Sequence, residues 1–140
     1  MDHADDLPSA LSEYLRQDPL AAQLGIEIEE IRAGYARGRA TVGAGHLNFH
    51  GVAHGGAMFT LADTLFAAAC NSHGRQALAV DVHSEFFSAV QLGEVLVCEA
   101  EELSRTRRMG VYRLCVVAQS DGRPVAEILA RAYPRDVELS

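Results

Sequence analysis

The stretch "HGVAHGGAMFTLADTLFAAACN", His50–Asn71, decides how this chain folds. From Gly55 onwards its residues are almost all apolar or small, and no polar stripe recurs at the helical period. A helix that is apolar on every side is buried on every side. The pattern therefore predicts one long central helix over residues 55–71, enclosed by the rest of the fold. Asp63 is the only charged residue within it.

Two features of this helix call for an explanation. An unpaired buried carboxylate is costly, so Asp63 is either bonded to a neighbouring backbone group or a buried Arg, or it is functional. Gly55 and Gly56 each disfavour a helix by about 1 kcal/mol relative to Ala. They serve either a plain strand-to-helix turn or the close approach of a ligand to bare backbone. Free N–H groups at a helix N-terminus suit an oxyanion or a phosphate.

The sequence before the helix predicts two short helices and a hairpin. Apolar residues recur at helical spacing in the N-terminal segment, residues 1–24, until Asp18-Pro19, which should end one helix and is a candidate start for another. The next stretch, "IEIEEIRAGYARGRATVG", alternates apolar and polar residues around Ala33-Gly34. That alternation is typical of a β-hairpin.

The sequence after the helix predicts four strands. Apolar alternation resumes there in four segments, and Asp121-Gly122 between the last two is a strong hairpin signal. We expect an antiparallel meander whose apolar face is covered by the central helix. The predicted fold is α+β, an antiparallel sheet wrapped around one long helix, in a single domain over residues 1–140.

Composition excludes several classes of protein. With 140 residues and 49% hydrophobic residues, the chain can bury a core. Its net charge of -7 argues against a nucleic-acid partner. No apolar run is long enough to span a membrane, and the acidic start lacks a signal peptide, so we expect a soluble cytoplasmic protein. Cys70, Cys98 and Cys115 lie in apolar sequence and are expected to be reduced core thiols.

The spacing between Gly55 and Asp63 constrains any shared site. The two are eight residues apart, which is about 12 Å along a helix. One small reacting group cannot contact both within a single chain. If both act on the same carbonyl, they come from two chains whose helices pack antiparallel across a two-fold axis.

The segment "LNFHGVAHGGAMFTLADTLFAAACNSHG" resembles the signature of hotdog-fold acyl-CoA thioesterases of the phenylacetic-acid-degradation type. The resemblance continues through "FFSAVQLGE" and "GRPVAEILARAY" and covers roughly residues 20–134. It implies a hotdog fold, dimers that pair their sheets, and commonly a tetramer of two dimers. Two departures stand out: Ala79 occupies the position where some relatives have a Ser, and the usual Pro is replaced near Ser88-Ala89.

The resemblance also implies roles for individual residues. Asn48 would help to place the attacking water or the substrate, and His54 would support the site from just before the helix. Gly55 would donate its backbone N–H to the thioester oxygen. Asp63 from the partner chain would be the nucleophile or the general base. No metal or redox cofactor is needed for this chemistry, since coenzyme A is part of the substrate.

Further residues are candidates for binding the substrate. Gly56 adds a second backbone N–H, while Glu85 and Phe86 could line the acyl pocket, although a strand-edge carboxylate facing water is as plausible for Glu85. The segment "SRTRRMG" holds three arginines suited to the phosphates of coenzyme A, unless it is simply a solvated turn. The arginines are Arg105, Arg107 and Arg108.

These features favour hydrolysis of acyl- or aryl-acyl-CoA to a free acid and coenzyme A. Phenylacetyl-CoA and hydroxyphenylacetyl-CoA are candidate substrates. The alternatives are a hotdog enoyl-CoA hydratase or dehydratase and a non-catalytic acyl-CoA-binding module. His46, His50 and His54 recur every four residues, but interleaved glycines break the helix that would align them, so we expect no metal site.

Overall fold

A computed structural model describes residues 7–139, which begin with two short helices. Helix α1 spans Ser9–Leu15 and helix α2 spans Pro19–Gln23. The Asp18 side chain caps α2 by accepting the Ala21 N–H at 3.0 Å, and Pro19 follows at the first helical position. Asp-Pro therefore separates the two helices as the sequence predicts, because Asp caps a helix and Pro can begin one.

Six strands form one antiparallel sheet. They are β1 Glu27–Arg32, β2 Tyr35–Thr41, β3 Arg75–Phe86, β4 Val95–Arg105, β5 Gly110–Ala118 and β6 Pro124–Glu138. Their order across the sheet is β1-β2-β4-β5-β6-β3. The expected four-strand meander is thus realised only by β4, β5 and β6, because β3 lies at the far edge beside β6. The helix between β2 and β3 carries the chain across the sheet, and β4 returns to pair with β2.

The long helix α3 spans Gly55–Asn71, the predicted bounds, and packs on one face of the sheet. Its Leu61, Leu65 and Phe66 are buried among apolar side chains of the strands. The Phe66 ring meets the ring of Tyr112 on β5 edge to face, with centroids 5.5 Å apart. This arrangement of one sheet and one covering helix is the α+β fold that the sequence predicts.

One side of α3 is nevertheless uncovered. Gly56, Asp63 and Ala67 are exposed, and Thr60 between them is half-buried. These four positions recur every three or four residues and therefore form one stripe, here called the open stripe. The expectation that α3 is buried on every side is wrong for a single chain, because the sheet and the short helices do not cover this side.

Two expectations from composition concern the cysteines and membrane segments. All three cysteines are free thiols; Cys70 and Cys98 are buried, whereas Cys115 is half-buried. Burial raises the pKa of the Cys70 thiol to about 12, so it stays protonated at neutral pH. Within the described part of the chain, no helix is long and apolar enough to cross a membrane.

Strand β2 approaches its neighbours closely at Gly38. A Cβ on Gly38 would lie 2.5 Å from the backbone oxygen of Glu27 and 3.2 Å from both methyl groups of Leu65. Gly38 thus lets strand β1 and helix α3 pack against the same point of β2. Gly45, which also lacks an unusual φ, has no atom within 4 Å of such a Cβ.

We predict that Gly38→Ala lowers the free energy of unfolding by about 1–3 kcal/mol, the usual cost of overpacking a core. Gly45→Ala serves as the control and should change it by less than about 0.5 kcal/mol. Urea unfolding of both variants checks this. Equal denaturation midpoints for Gly38→Ala and the parent chain would contradict the close packing described.

Candidate active site

The first turn of α3 is capped by the residue that precedes it. His54 is the N-cap, with φ −67° and ψ 137°, and its Nδ1 accepts the Gly56 N–H at 2.8 Å. Its backbone oxygen accepts the N–H groups of Ala57 and Met58 at 2.9 and 3.1 Å. The bond from Met58 is the first ordinary helix bond, so His54 satisfies two of the four amides that a helix N-terminus leaves without an intrahelical partner, those of Gly56 and Ala57. A third, the N–H of His54 itself, donates to the backbone oxygen of His46 at 2.7 Å.

The fourth amide belongs to Gly55. Within residues 7–139, the Gly55 N–H has no hydrogen-bond partner, and it lies at the positive end of the α3 dipole. It is the only donor of this turn that remains available to a ligand. The Gly56 N–H is already bonded to His54, so this geometry does not support the predicted role of that N–H in substrate binding.

The two adjacent glycines, Gly55 and Gly56, have different surroundings. A Cβ on Gly56 would lie 3.0 Å from Nδ1 and 3.3 Å from Cε1 of His54, so a side chain there would crowd the capping ring. A Cβ on Gly55 would meet only Cζ of Phe86, at 3.9 Å, which is ordinary contact. Folding of this chain therefore explains Gly56 but leaves Gly55 unexplained, and a ligand or a second chain can explain it.

Asn48 organises the loop before α3. Its Oδ1 accepts the N–H of His50 at 2.9 Å and of Val52 at 3.4 Å, and Gly51 closes the loop with φ 81°. The side-chain oxygen is thus committed to the loop. A role for Asn48 in placing water or substrate stays a prediction, and it would fall to the amide nitrogen.

The three histidines of this region do not converge. His46 Nδ1 accepts the Gly43 N–H at 2.9 Å, and His54 Nδ1 is the helix cap already described. In the described ranges, no three His, Cys, Asp or Glu side chains come together in a group that could hold a metal ion.

Asp63 lies on the open stripe, two turns beyond the N-terminus of α3. Residues 7–139 provide it with neither a hydrogen bond nor an ion pair, so the alternative of a backbone-bonded or Arg-paired Asp is not observed. Partial burial raises the pKa of the Asp63 carboxyl, and the negative charge of Asp18 raises it further. The carboxylate is therefore both unpartnered and destabilised as an anion.

Phe86 and Glu85 lie on opposite faces of the sheet. Phe86 is paired across from the buried Ala126 on the face that carries α3, and its ring lies beside Gly55. Glu85 is paired across from the exposed Glu127 and lies 3.3 Å from Nε2 of His83. Because side chains alternate along a strand, Glu85 is directed away from α3, and within one chain it does not share the site.

The arginines lie beyond the other end of α3. Arg107 and Arg108, in the β4–β5 turn, join Arg75 around a polar cavity of about 430 Å³, here called the arginine cavity. Arg105 ends β4 and does not line it. Arg75 begins β3 just after α3, a helix of 17 residues and so about 25 Å long. Within one chain, the arginine cavity is therefore far from Gly55.

A groove beside the open stripe involves residues that sequence reasoning did not assign to the site. It has a volume of about 380 Å³ and lies between the N-terminal segment and the second half of α3. Asp18 and Tyr14 line one wall, and Thr64 and Ala67 line the other. The Asp-Pro signal marks Asp18 as a helix cap, but no spacing rule connects it with α3.

Comparison with known proteins identifies the family of this chain. Residues 50–125 match the model of the thioesterase superfamily. A putative esterase from Archaeoglobus fulgidus is 41% identical over 84% of this chain and 76% of its own. The acyl-coenzyme A thioesterase PaaI of Escherichia coli is 39% identical over 73% of each chain.

Solved structures show the same fold. The structure of E. coli PaaI superposes with a TM-score of 0.87 and 34% identity, covering 94% of both chains. A hypothetical thioesterase from Streptococcus pneumoniae, solved with coenzyme A, has a TM-score of 0.77 and 27% identity over 82% of this chain and 91% of its own. The hotdog fold is thereby confirmed. The chain belongs to the thioesterase superfamily and is a thioester hydrolase.

Proposed function

We propose that this protein hydrolyses acyl-CoA thioesters at a site shared by two protomers. Gly55 of one protomer donates its N–H to the thioester oxygen, and Asp63 of the other is the nucleophile or the general base. The observation that carries this proposal is the unpaired Gly55 N–H at the α3 N-terminus. The PaaI relative, an acyl-coenzyme A thioesterase, supports the same chemistry.

Two surfaces of the single chain support a dimer. The open stripe leaves small residues and Asp63 on the side of α3 that the sheet and the short helices do not cover. Strand β3 pairs only with β6, so its other edge presents unpaired backbone groups to a second chain. Antiparallel packing of two α3 helices would bring Gly55 of the partner subunit to Asp63 and close the distance of about 12 Å. A tetramer of two such dimers is our further expectation.

The proposed reaction follows from these two groups. As water or the Asp63 carboxylate attacks the carbonyl carbon, negative charge develops on the carbonyl oxygen, where the Gly55 N–H and the helix dipole stabilise it. Collapse of the tetrahedral intermediate breaks the carbon–sulfur bond and releases coenzyme A as a thiolate. When water attacks, Asp63 accepts its proton and passes it to the thiolate. When Asp63 attacks, the acyl group remains on Asp63 as a mixed anhydride, which water then hydrolyses. In both routes water supplies the second oxygen of the free acid. These groups provide the base and the oxyanion donor, so the proposed reaction requires no metal or redox cofactor.

The substrate would extend in two directions from this carbonyl. Phe86 beside Gly55 offers an apolar surface to an acyl or aryl group. In an antiparallel pair, Gly55 of the partner subunit lies beside the middle of α3, and the arginine cavity lies beyond the C-terminal end of that helix. Arg107 and Arg108 would bind coenzyme A phosphates there, since guanidinium groups match phosphate geometry. The S. pneumoniae relative binds coenzyme A.

Asp63→Asn should fold normally and lose at least about nine-tenths of the thioesterase rate, because a general base typically contributes 10² to 10⁴. Free-thiol release from phenylacetyl-, butyryl- and hexanoyl-CoA measures it. Asp121→Asn, which alters an exposed carboxylate in the β5–β6 turn, is the matched control. Retained activity in Asp63→Asn would remove Asp63 from the mechanism. Water addition to an enoyl-CoA without thiol release would indicate the hydratase alternative, and tight binding without turnover would indicate the binding module.

Replacing Arg107 and Arg108 by Gln should raise KM for an acyl-CoA about tenfold more than for the same acyl group on pantetheine, which lacks the nucleotide phosphates. Arg105→Gln should have the smaller effect, since Arg105 does not line the arginine cavity. Arg113→Gln, on an exposed β5 position, controls for net charge. Equal changes in KM for the acyl-CoA and the acyl-pantetheine would indicate that Arg107 and Arg108 belong to a solvated turn that does not bind the phosphates.

Two separately inactive variants should restore activity when their subunits exchange. Asp63→Ala removes one group, and Gly55→Pro removes the other by deleting the N–H. In a mixed dimer, one site collects both lesions and the other collects neither. Random exchange makes half the dimers mixed, so about a quarter of the parental activity should return.

The structure favours Gly55→Pro as the partner variant. Gly55 is the first residue of α3, where Pro is well tolerated, and His54 has the extended ψ of 137° that a residue before Pro prefers. Mixing Asp63→Ala with Asp63→Asn is the control that should stay inactive. If mass spectrometry verifies exchange of folded subunits and the test mixture remains inactive, the two-chain site is wrong.

A further inference from the structure

The N-terminal segment places a second carboxylate near Asp63. Asp18 is half-buried and lines the groove beside the open stripe, opposite Thr64 and Ala67 of α3. Asp63 precedes Ala67 by one helical turn on the same stripe. Asp18 therefore shares a groove with α3 residues that neighbour Asp63, the carboxylate that we assign to catalysis.

Asp18 is held in this position. Its Oδ1 accepts the Ala21 N–H at 3.0 Å, and the buried side chains of Leu11 and Ala21 anchor α1 and α2. In the part of the chain that the structure describes, no cation forms an ion pair with Asp18. The neighbouring Arg16 bonds to the backbone oxygen of Ile28 and the hydroxyl of Ser12. The side chain of Asp18 is therefore held in place at the wall of the groove.

We propose that Asp18 is a positioning residue of the active site, whose fixed negative charge acts on Asp63 and expels the carboxylate product. This inference rests on the proposed function, because it assumes that the free acid forms beside Asp63. A neutral thioester is little affected by a nearby anion, whereas the acid product is an anion at neutral pH. Repulsion between Asp18 and another anion is stronger in a partly desolvated groove than in bulk water. Because only the product carries a negative charge at the acyl end, this repulsion acts chiefly on the product.

The electrostatics of Asp63 agree with this placement. Burial is the larger cause of the raised pKa of Asp63, and Asp18 is the other. Asp18 in the N-terminal segment raises the pKa of Asp63, and the charge of Asp63 in turn raises the pKa of Cys70 on α3. The Cys70 thiol stays neutral, since its own pKa is raised to about 12. Removing the charge of Asp18 should therefore stabilise the Asp63 anion and let Asp63 titrate at lower pH.

The test compares Asp18→Asn with Glu13→Gln. Asn is as good a helix cap as Asp, so α2 should persist. Glu13 is exposed on α1 and does not line the groove, so its change removes the same charge from the same segment. Carbon-13 NMR of aspartate carboxyls follows the titration of Asp63, whose resonance is identified by its loss in Asp63→Asn. Kinetics give the inhibition constant of phenylacetate and KM with phenylacetyl-CoA.

Asp18→Asn should move the Asp63 titration and the acid limb of the rate to lower pH. Phenylacetate should inhibit about three- to tenfold more strongly, while KM changes less. Glu13→Gln should alter neither quantity. The inference is overturned if Asp18→Asn moves neither quantity, or if Glu13→Gln moves both equally.

Two further measurements distinguish failure of this inference from failure of the proposed function. Asp18→Ser, a second neutral cap, repeats the test if Asp18→Asn perturbs α2. If the parent chain releases no thiol from any acyl-CoA, the proposed function fails. The NMR titration and the binding of phenylacetate, read from chemical shifts, then decide separately whether Asp18 acts on Asp63 and on an anion.

Discussion

Helix α3 is covered by the sheet on one side only, and the candidate site depends on the side that stays uncovered. The sheet buries Leu61, Leu65 and Phe66, and the two short helices cover part of what remains. The open stripe is the surface that is left over. It contains the one charged residue of the helix, so the incomplete core and the incomplete site lie on the same surface of the chain. A second copy would complete both at once.

Local signals in the sequence predicted most of the elements. Alternation and turn residues located β1, β2 and the β4–β5–β6 meander, and continuous apolar composition located α3 with its bounds. The position of β3 could not be predicted in this way, because a strand has the same local pattern whether it pairs with β4 or with β6. The open stripe was missed for a related reason. Apolar residues look alike in sequence whether their own chain or another chain covers them.

The sequence predicted which motif forms the candidate site, but it did not predict the individual hydrogen bonds within that site. His-Gly-Gly before an apolar helix correctly indicated the α3 N-terminus. Which of the two glycine amides is free depends on the rotamer of His54, which no spacing encodes. Strand alternation separates Glu85 from Phe86, and only the pairing of β3 with β6 shows which of them shares the face of α3. Asp18 is 45 positions from Asp63, and only the fold brings them together.

The different roles of the two glycines have a consequence for how this family diverges. Gly56 lies tightly against the capping ring of its own chain, so folded descendants that keep His54 are expected to favour Gly56. Gly55 has room for a methyl group and is under no such constraint from folding. In a descendant that no longer hydrolyses thioesters but still folds, substitutions should therefore appear at Gly55 before they appear at Gly56. The residues found at positions 55 and 56 would then distinguish inactive members of the family from catalytically active ones.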